Sequence, residues 1–333
     1  MRMPGHTALI LGAGFSRPAG GPLLRDLLSD QVLAISDADS SSLAALSELA
    51  ASPGSPGESK TKTLEDVFTD LWREARTGGK IRLGEDTYSA EELLIELNIH
   101  LASVCGGVHV RRFTNLWSLY AAFLQDLFEN SRSLTLITFN YDLLAEQILD
   151  DLRLRYDYGP RGMIEFDDSK RRRCLRRSGS ELSLLKLHGS ANWGVCRGCP
   201  EAGRYTDRVT AFERPYVPIR RKSCPWCGRK FLESAIIPPI LGKAGEARHI
   251  GPIWGLARSA LGRAREVVVV GYSLPSSDVE AISLLREVDA PGKRPSITIA
   301  CGPRGAAPEY KKVFSRFRDT GEYFEDFAIE RPA

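Results

Sequence analysis

Four short apolar runs, each ending in a glycine turn or a polar motif, constrain this chain most. Thr7–Leu11 leads into Gly12-Ala13-Gly14-Phe15-Ser16, and Ser133–Thr138 into Phe139-Asn140-Tyr141-Asp142. Leu184–Leu187 delivers His188-Gly189-Ser190, and Glu266–Val270 stops at Gly271-Tyr272-Ser273-Leu274-Pro275. A further run, Ser296–Ala300, has the same character. Each reads as a strand, and the β-branched run Glu266–Val270 suits a strand buried on both faces. Helical spacing separates them. Leu23, Leu24, Leu27 and Leu28 share one face of a helix expected from Pro22 to about Ser36. Phe113, Leu116, Trp117, Tyr120, Phe123, Leu124, Leu127 and Phe128 form a second stripe. Helices are also expected after Asp142, over Arg248–Arg265 and from near Asp278. Strands alternating with helices predict an α/β fold with a doubly wound, Rossmann-like parallel sheet. Ligands of such sheets lie beyond the carboxyl ends of the strands, where all four motifs stand.

The 333 residues suffice for one large α/β domain or two smaller ones. With 43% hydrophobic residues the chain is neither collagen-like, coiled-coil nor wholly disordered. Lys and Arg number 45 against 42 Asp and Glu, so the net charge of +3 gives no global nucleic-acid or membrane footprint. No apolar run is long enough to span a bilayer. The opening Met1–Ser16 reads as a strand entering a glycine turn and not as a signal peptide. The expected organisation is a first core segment over 1–36, a helical insertion over 37–132 and resumed core over 133–193. A zinc-ribbon module over 194–235 and a final core segment over 236–333 follow. Within the insertion, Asp37–Lys62 reads as a loop with a short helix near Leu43–Leu49, and 63–130 as helical.

Seven cysteines include two CxxC pairs, Cys196/Cys199 and Cys224/Cys227, with 24 residues between them. Two such turns present four thiolates, enough for a closed tetrahedral zinc site with no open position for substrate. The role expected is structural. The remaining thiols and the odd total suit a reducing, cytoplasmic setting.

Gly12 and Gly14 would let the backbone approach a diphosphate, with a helix end and Ser16 adding donors. A tight turn that merely starts a helix is the competing reading, because Arg17 stands where GxGxxG has its third glycine. Asp37 lies 25 residues beyond Gly12, near the usual place of a ribose-binding acid, but beside a Ser-rich stretch. Asn140, Asp142 and His188 form a polar trio at strand ends suited to chemistry on a bound cofactor. Against this, Asn-Tyr-Asp serves equally as a turn with a helix cap, and a lone histidine as a structural one. Lys170–Arg177 holds six cations in eight residues and reads as a solvated loop preceded by Glu165, Asp167 and Asp168. Direct nucleic-acid binding is not expected.

Taken in order, Gly-Ala-Gly-Phe-Ser, Thr-Phe-Asn-Tyr-Asp, Leu-His-Gly-Ser, CxxC…CxxC and Gly-Tyr-Ser-Leu resemble the sirtuin-like NAD-binding family. The pairing with Gly-Tyr-Ser-Leu-Pro-x-x-Asp resembles its divergent bacterial group, several of whose members are NAD+ hydrolases in anti-phage defence. The resemblance implies NAD+ as substrate, held by Gly12, Ala13, Gly14, Phe15, Ser16, Thr138, Asn140, Tyr141, Asp142, Gly271, Ser273 and Leu274. It implies a catalytic set of Asn140, His188 and Asp142, and structural Zn2+ on the four cysteines. The implied activity is cleavage of the nicotinamide–ribose bond to nicotinamide and ADP-ribose. Alternatives are an NAD-dependent protein deacylase or ADP-ribosyltransferase, and a non-catalytic NAD or ADP-ribose sensor gating a partner. The chain departs from the deacylase pattern at Arg17–Leu23, at Ile236–Gly242 and at Cys301-Gly302. Pro238 and Pro239 remove donors that a docked peptide strand would need. Restraint is expected from a homo-oligomer, from a separate ATPase or Argonaute-like defence partner, or from the Asp37–Lys62 stretch.

Overall fold

The computed structural model describes residues 5–23, 26–34, 36, 38–51, 62–159, 164–167, 181–200, 202, 207–212, 223–230, 232–238, 250–289, 295–303 and 307–330. The chain begins with β1 (His6–Leu11), the one-turn helix α1 (Ala13–Ser16) and a 3-10 turn over Arg17–Ala19. There follow α2 (Asp30–Leu33), α3 (Ser40–Ala51), α4 (Leu64–Arg76), β2 (Lys80–Leu83), β3 (Asp86–Ser89), α5 (Ala90–Gly106) and α6 (Asn115–Glu129). Next come β4 (Ser133–Thr138), α7 (Leu144–Asp151), β5 (Tyr156–Asp157), β6 (Ile164–Asp167), β7 (Leu182–Lys186), β8 (Trp193–Cys196), β9 (Arg208–Phe212) and β10 (Glu233–Ser234). The last part holds α8 (Gly251–Arg263), β11 (Glu266–Val270), α9 (Val279–Arg286), β12 (Ser296–Ala300), α10 (Ala307–Tyr310), β13 (Arg318–Asp319) and α11 (Phe324–Glu330).

The expected doubly wound sheet is present. Seven parallel strands run in the order β13-β12-β11-β1-β4-β7-β5. All six residues of β1 are buried, so both faces of the sheet are covered at its centre. Growth proceeds from β1 to β4 and β7, then restarts on the other side of β1 with β11. The topological switch point therefore lies between β1 and β11.

Register decides what meets there. Leu11 is level with Thr138 and with Val270, Thr138 with Lys186, and Val270 with Ala300. The residues one step further on, Gly12, Phe139, Leu187, Gly271 and Cys301, thus form a row across the top of the sheet. Each sequence motif starts from that row.

A second apolar cluster lies in the insertion. Leu43 and Leu46 of α3, Val67, Phe68 and Leu71 of α4, and Leu93, Leu97 and Leu101 of α5 are buried together. Thr63 and Asp66 close a reciprocal cap on α4, and the Ser89 hydroxyl accepts from Glu92 N at the start of α5. Tyr141, Ala191 and Ile236 reach into this cluster from the strand-end loops and tie it to the sheet. By contrast, α6 packs its Tyr120, Phe123, Leu124 and Leu127 into the sheet's own core.

Several local expectations change. The long helix from Pro22 to Ser36 is absent among the described residues, where only α2 is helical. The Leu27 carbonyl is instead taken by His100 Nε2 at 2.6 Å, so it serves a tertiary bond and not a helical ladder. The Leu43–Leu49 segment is a full helix of 12 residues, because Leu43, Ala45, Leu46 and Leu49 all bury against the insertion core. The stretch 63–130 is not all helix: β2 and β3 pair as an antiparallel hairpin turning at Gly84, whose φ is +57°. Asp37, Leu24, residues 52–61, Lys170–Arg177 and 239–249 lie outside the described residues. No helix among the described residues is long and apolar enough to cross a membrane.

Candidate active site at the switch point

The β1 and β11 turns are in backbone contact. Gly12 N donates to Val270 O at 3.0 Å and Gly14 N to Gly271 O at 2.9 Å. A Cβ on Gly12 would stand 2.4 Å from Tyr272 Cα, and one on Gly271 would stand 2.2 Å from Phe15 N. Gly271 also has φ +66°, a conformation that favours glycine. The glycines therefore first let two strand-end loops close on each other. The helix behind the turn has only four residues, so the helix end expected there amounts to one turn of N–H groups.

Asn140 joins β4 to this turn. Its Nδ2 donates to Gly12 O at 2.9 Å and to Ser16 Oγ at 3.1 Å, while its N–H bonds Thr138 Oγ1 at 3.0 Å. A carbonyl can only accept, so the amide orientation is settled: Nδ2 faces Gly12, and Oδ1 faces away. Asp142 acts locally. Its Oδ1 accepts from Leu144 N at 3.1 Å at the start of α7, and its carbonyl accepts from Lys186 Nζ. Lys186 is fully buried and pairs with Glu146 at 2.9 Å, which also accepts from Tyr158 OH at 3.0 Å.

His188 is 7% exposed and sits in an aromatic box. Phe139 meets it edge-on with centroids 5.1 Å apart, and Tyr141 and Trp254 lie at 6.2 and 6.4 Å. Trp254 Nε1 donates to Leu187 O at 3.0 Å and fixes the adjoining strand end. His188 Nε2 is buried and faces Asp278 Oδ2 at 3.4 Å. The same oxygen accepts from Tyr272 OH at 2.6 Å. Burial first, then the Asp278 charge, push the Tyr272 phenol well above its ordinary range, so it remains a donor. Phe139 stacks on Tyr272 at 4.0 Å and 10°, joining the His188 group to the Gly12 group.

Other expected ligand-binding positions have mixed placements. Ser273 is exposed beside the switch point. The Phe15 ring is buried against Tyr120 and Phe324, and the Leu274 side chain is fully buried, so their main chains and not their side chains lie on the loops. Leu274 holds φ +52°, a strained conformation for a branched residue. Tyr141 OH donates to Ile237 O at 2.8 Å and locks the loop after the ribbon. Cys301 donates to Tyr272 O at 3.1 Å, and burial pushes its thiol up to about 12, so it is an inert structural thiol.

The four ribbon cysteines converge. Their Sγ atoms all lie within 4.8 Å of one another, with Cys196–Cys227 at 3.7 Å and Cys199–Cys224 at 3.9 Å. Tetrahedral zinc with Zn–S bonds of about 2.3 Å requires Sγ separations of about 3.8 Å. The donor set and spacing fit structural zinc, held on the four-stranded sheet β10-β8-β9-β6.

Solved Sir2 structures are similar to this chain. A Sir2 homologue mutant complexed with 2′-O-acetyl ADP ribose shares 15% identity at a TM-score of 0.45, covering 97% of this chain and 89% of that one. A second Sir2 enzyme shares 13% at 0.45, covering 98% and 90%. A Sir2–p53 peptide–NAD+ complex shares 15% at 0.41, covering 97% and 90%. No family model and no curated protein matches the chain.

The structure bonds Asn140 to Gly12 and Ser16 and packs Gly271 against Gly14 and Phe15, while His188 joins this group through Phe139 and Tyr272; sequence reasoning had set all five at strand ends. It did not single out Asp278, Tyr272, Phe139, Trp254 or Lys186. Asp278 carried a signal, since it closes the Gly-Tyr-Ser-Leu-Pro-x-x-Asp motif, but it read as a helix start. Lys186 carried none: a lysine two residues before a histidine gives no hint of complete burial.

Proposed function

We propose that the chain is an NAD+ glycohydrolase that cleaves the nicotinamide–ribose bond. The carrying observation is Asn140 bonded into the Gly12–Ser16 turn at the β1/β11 switch point, with His188 facing Asp278 just beyond the Gly271 turn. The order of motifs, which resembles sirtuin-like NAD-binding proteins, supports NAD+ as the ligand. The diphosphate would lie over the Gly12–Ser16 turn and the exposed Ser273. Asn140 Oδ1 would accept from a ribose hydroxyl or the attacking water near C1′. His188 would be the general base toward that hydroxyl or water. Water adds its oxygen to C1′, nicotinamide leaves with the C–N electron pair, and the water proton passes to the base. Asp142 would hold the Asn140 loop through its bonds to Leu144 N and Lys186.

Incubation with NAD+ alone tests this. Release of nicotinamide and ADP-ribose, with Asn140→Ala and His188→Ala each lowering turnover by about 10²-fold or more, is the expected result. Turnover unchanged in both variants would sink the assignment. Strict dependence on an acylated peptide would instead indicate a deacylase, and tight ADP-ribose binding without turnover a sensor. An unrestrained hydrolase would empty a cell's NAD+ pool. The reading therefore includes a cytoplasmic setting and restraint by self-association or by a separate defence partner.

A further inference from the structure

Asp278 has an unusual orientation for its place in the chain. It occupies the N-cap position of α9, yet its side chain makes no capping bond. An Asp there normally accepts from the first turn of its helix, and giving up that bond is destabilising. The carboxylate is 2% exposed, a position that a charge holds only when paired. It turns toward Tyr272 OH at 2.6 Å and His188 Nε2 at 3.4 Å. Tyr272 is itself locked: its carbonyl accepts from Tyr310 OH at 2.8 Å and Cys301 Sγ at 3.1 Å, and its ring stacks on Phe139.

We infer that Asp278 is the positioning residue for His188, that it holds the ring proton on Nε2, and that Nδ1 is the nitrogen that acts as the base. This rests on the proposed hydrolysis for its catalytic consequence, though not for its geometry. A carboxylate can only accept, so the nitrogen facing it carries hydrogen and the other ring nitrogen keeps its lone pair. In the reaction Nδ1 takes the proton from water, water oxygen bonds C1′, and nicotinamide departs with the bonding pair. The imidazolium so formed stands beside a carboxylate whose position Tyr272 fixes. At 3.4 Å Nε2 and the carboxylate stand close without a formed hydrogen bond, which the pair gains by shortening on ligand binding, as is common for catalytic pairs.

The test uses the full-length, zinc-loaded protein labelled with 15N-histidine, with and without ADP-ribose, beside a turnover assay. The expected spectrum of the wild type shows a His188 ring protonated at Nε2, with an exchange-protected, downfield Nε2–H that is absent in His188→Ala. That signal should move or vanish in Asp278→Asn and Asp278→Ala, and shift in Tyr272→Phe. The expected kinetics are a kcat lowered about tenfold or more with KM little changed, partial rescue by Asp278→Glu, and no additional loss when Asp278→Ala is added to His188→Ala. A His188 Nε2–H signal unchanged in a folded Asp278→Asn protein, with or without ADP-ribose, overturns the inference. So does its absence from the wild type in both states. If Asp278→Ala does not fold, the isosteric Asn variant carries the test. The intact spectroscopic pattern with no nicotinamide release refutes the hydrolase reading alone and leaves the pair standing.

Discussion

Gly271 shows how much a single residue carries at this site. It combines a left-handed backbone with a contact that admits no Cβ, since the atoms in the way are the Phe15 amide nitrogen and the Gly14 main chain. Gly271→Ala should therefore cost more than about 1 kcal/mol, because neither the strain nor the backbone clash can relax by a rotamer change. Urea unfolding would measure this, and an unchanged midpoint would show that the two loops are not closed as described. The sequence marked Gly12, Gly14 and Gly271 as special. It could not say that they are special to each other. A glycine turn beside a ligand and a glycine turn beside another loop look identical in one dimension.

Elements were legible to the extent that their burial was uniform. The runs that became β1, β4, β7, β11 and β12 are dominated by apolar and β-branched residues, as strands covered on both faces require, with buried Lys186 on β7 as the exception. The hairpin β2/β3 escaped notice because its residues are half-buried or exposed, which leaves no apolar period to read. The segment before α3 misled in the opposite sense, since its leucines are spaced for a helix while the Leu27 carbonyl is committed to His100. The ribbon was legible from thiol spacing alone. We expect one zinc per chain by metal analysis, with Cys224→Ser losing the metal and admitting protease within residues 194–235. Because a closed thiolate site contributes folding energy directly, a chelator should reproduce that loss. A metal-free protein with an equally protected ribbon would contradict the structural role.

For the whole molecule, the sheet carries a pH dependence at the end of its strands opposite the site. His6 opens β1, is 8% exposed and bonds Ser133 Oγ at 2.8 Å. Its pKa is lowered from 6.5 to about 4, chiefly by burial and next by the Arg263 charge, with the Ser133 bond opposing. Between pH 6.5 and 4 the unfolded chain binds a proton that the folded chain refuses. This contribution to stability is fully present above pH 6.5 and is lost as the pH falls toward 4. Burial lowers His100 in the same direction, so the comparison must isolate His6. Unfolding midpoints at pH 7 and pH 5 should differ more for the wild type than for His6→Gln, and equal differences would refute the account.

The sequence by itself determined the core strands of the parallel sheet, the order in which they bring their motifs and the thiolate site, and it marked Asn140, Asp142 and His188 as candidates for chemistry. These are properties of composition and spacing along the chain, where burial imposes apolarity and metal geometry imposes CxxC. Only the tertiary structure decided what those side chains face. The parallel register put residues 12, 139, 187, 271 and 301 in one row, and that row brought Asp278 and Tyr272 to His188 from β7's far side of the switch point. A contact between residues 188 and 278 is made by loops that reach over β1 and β4, the two strands that separate β11 from β7 in the sheet. No local period records it, because the energy that sets it is the packing of whole strands and not the preference of any segment.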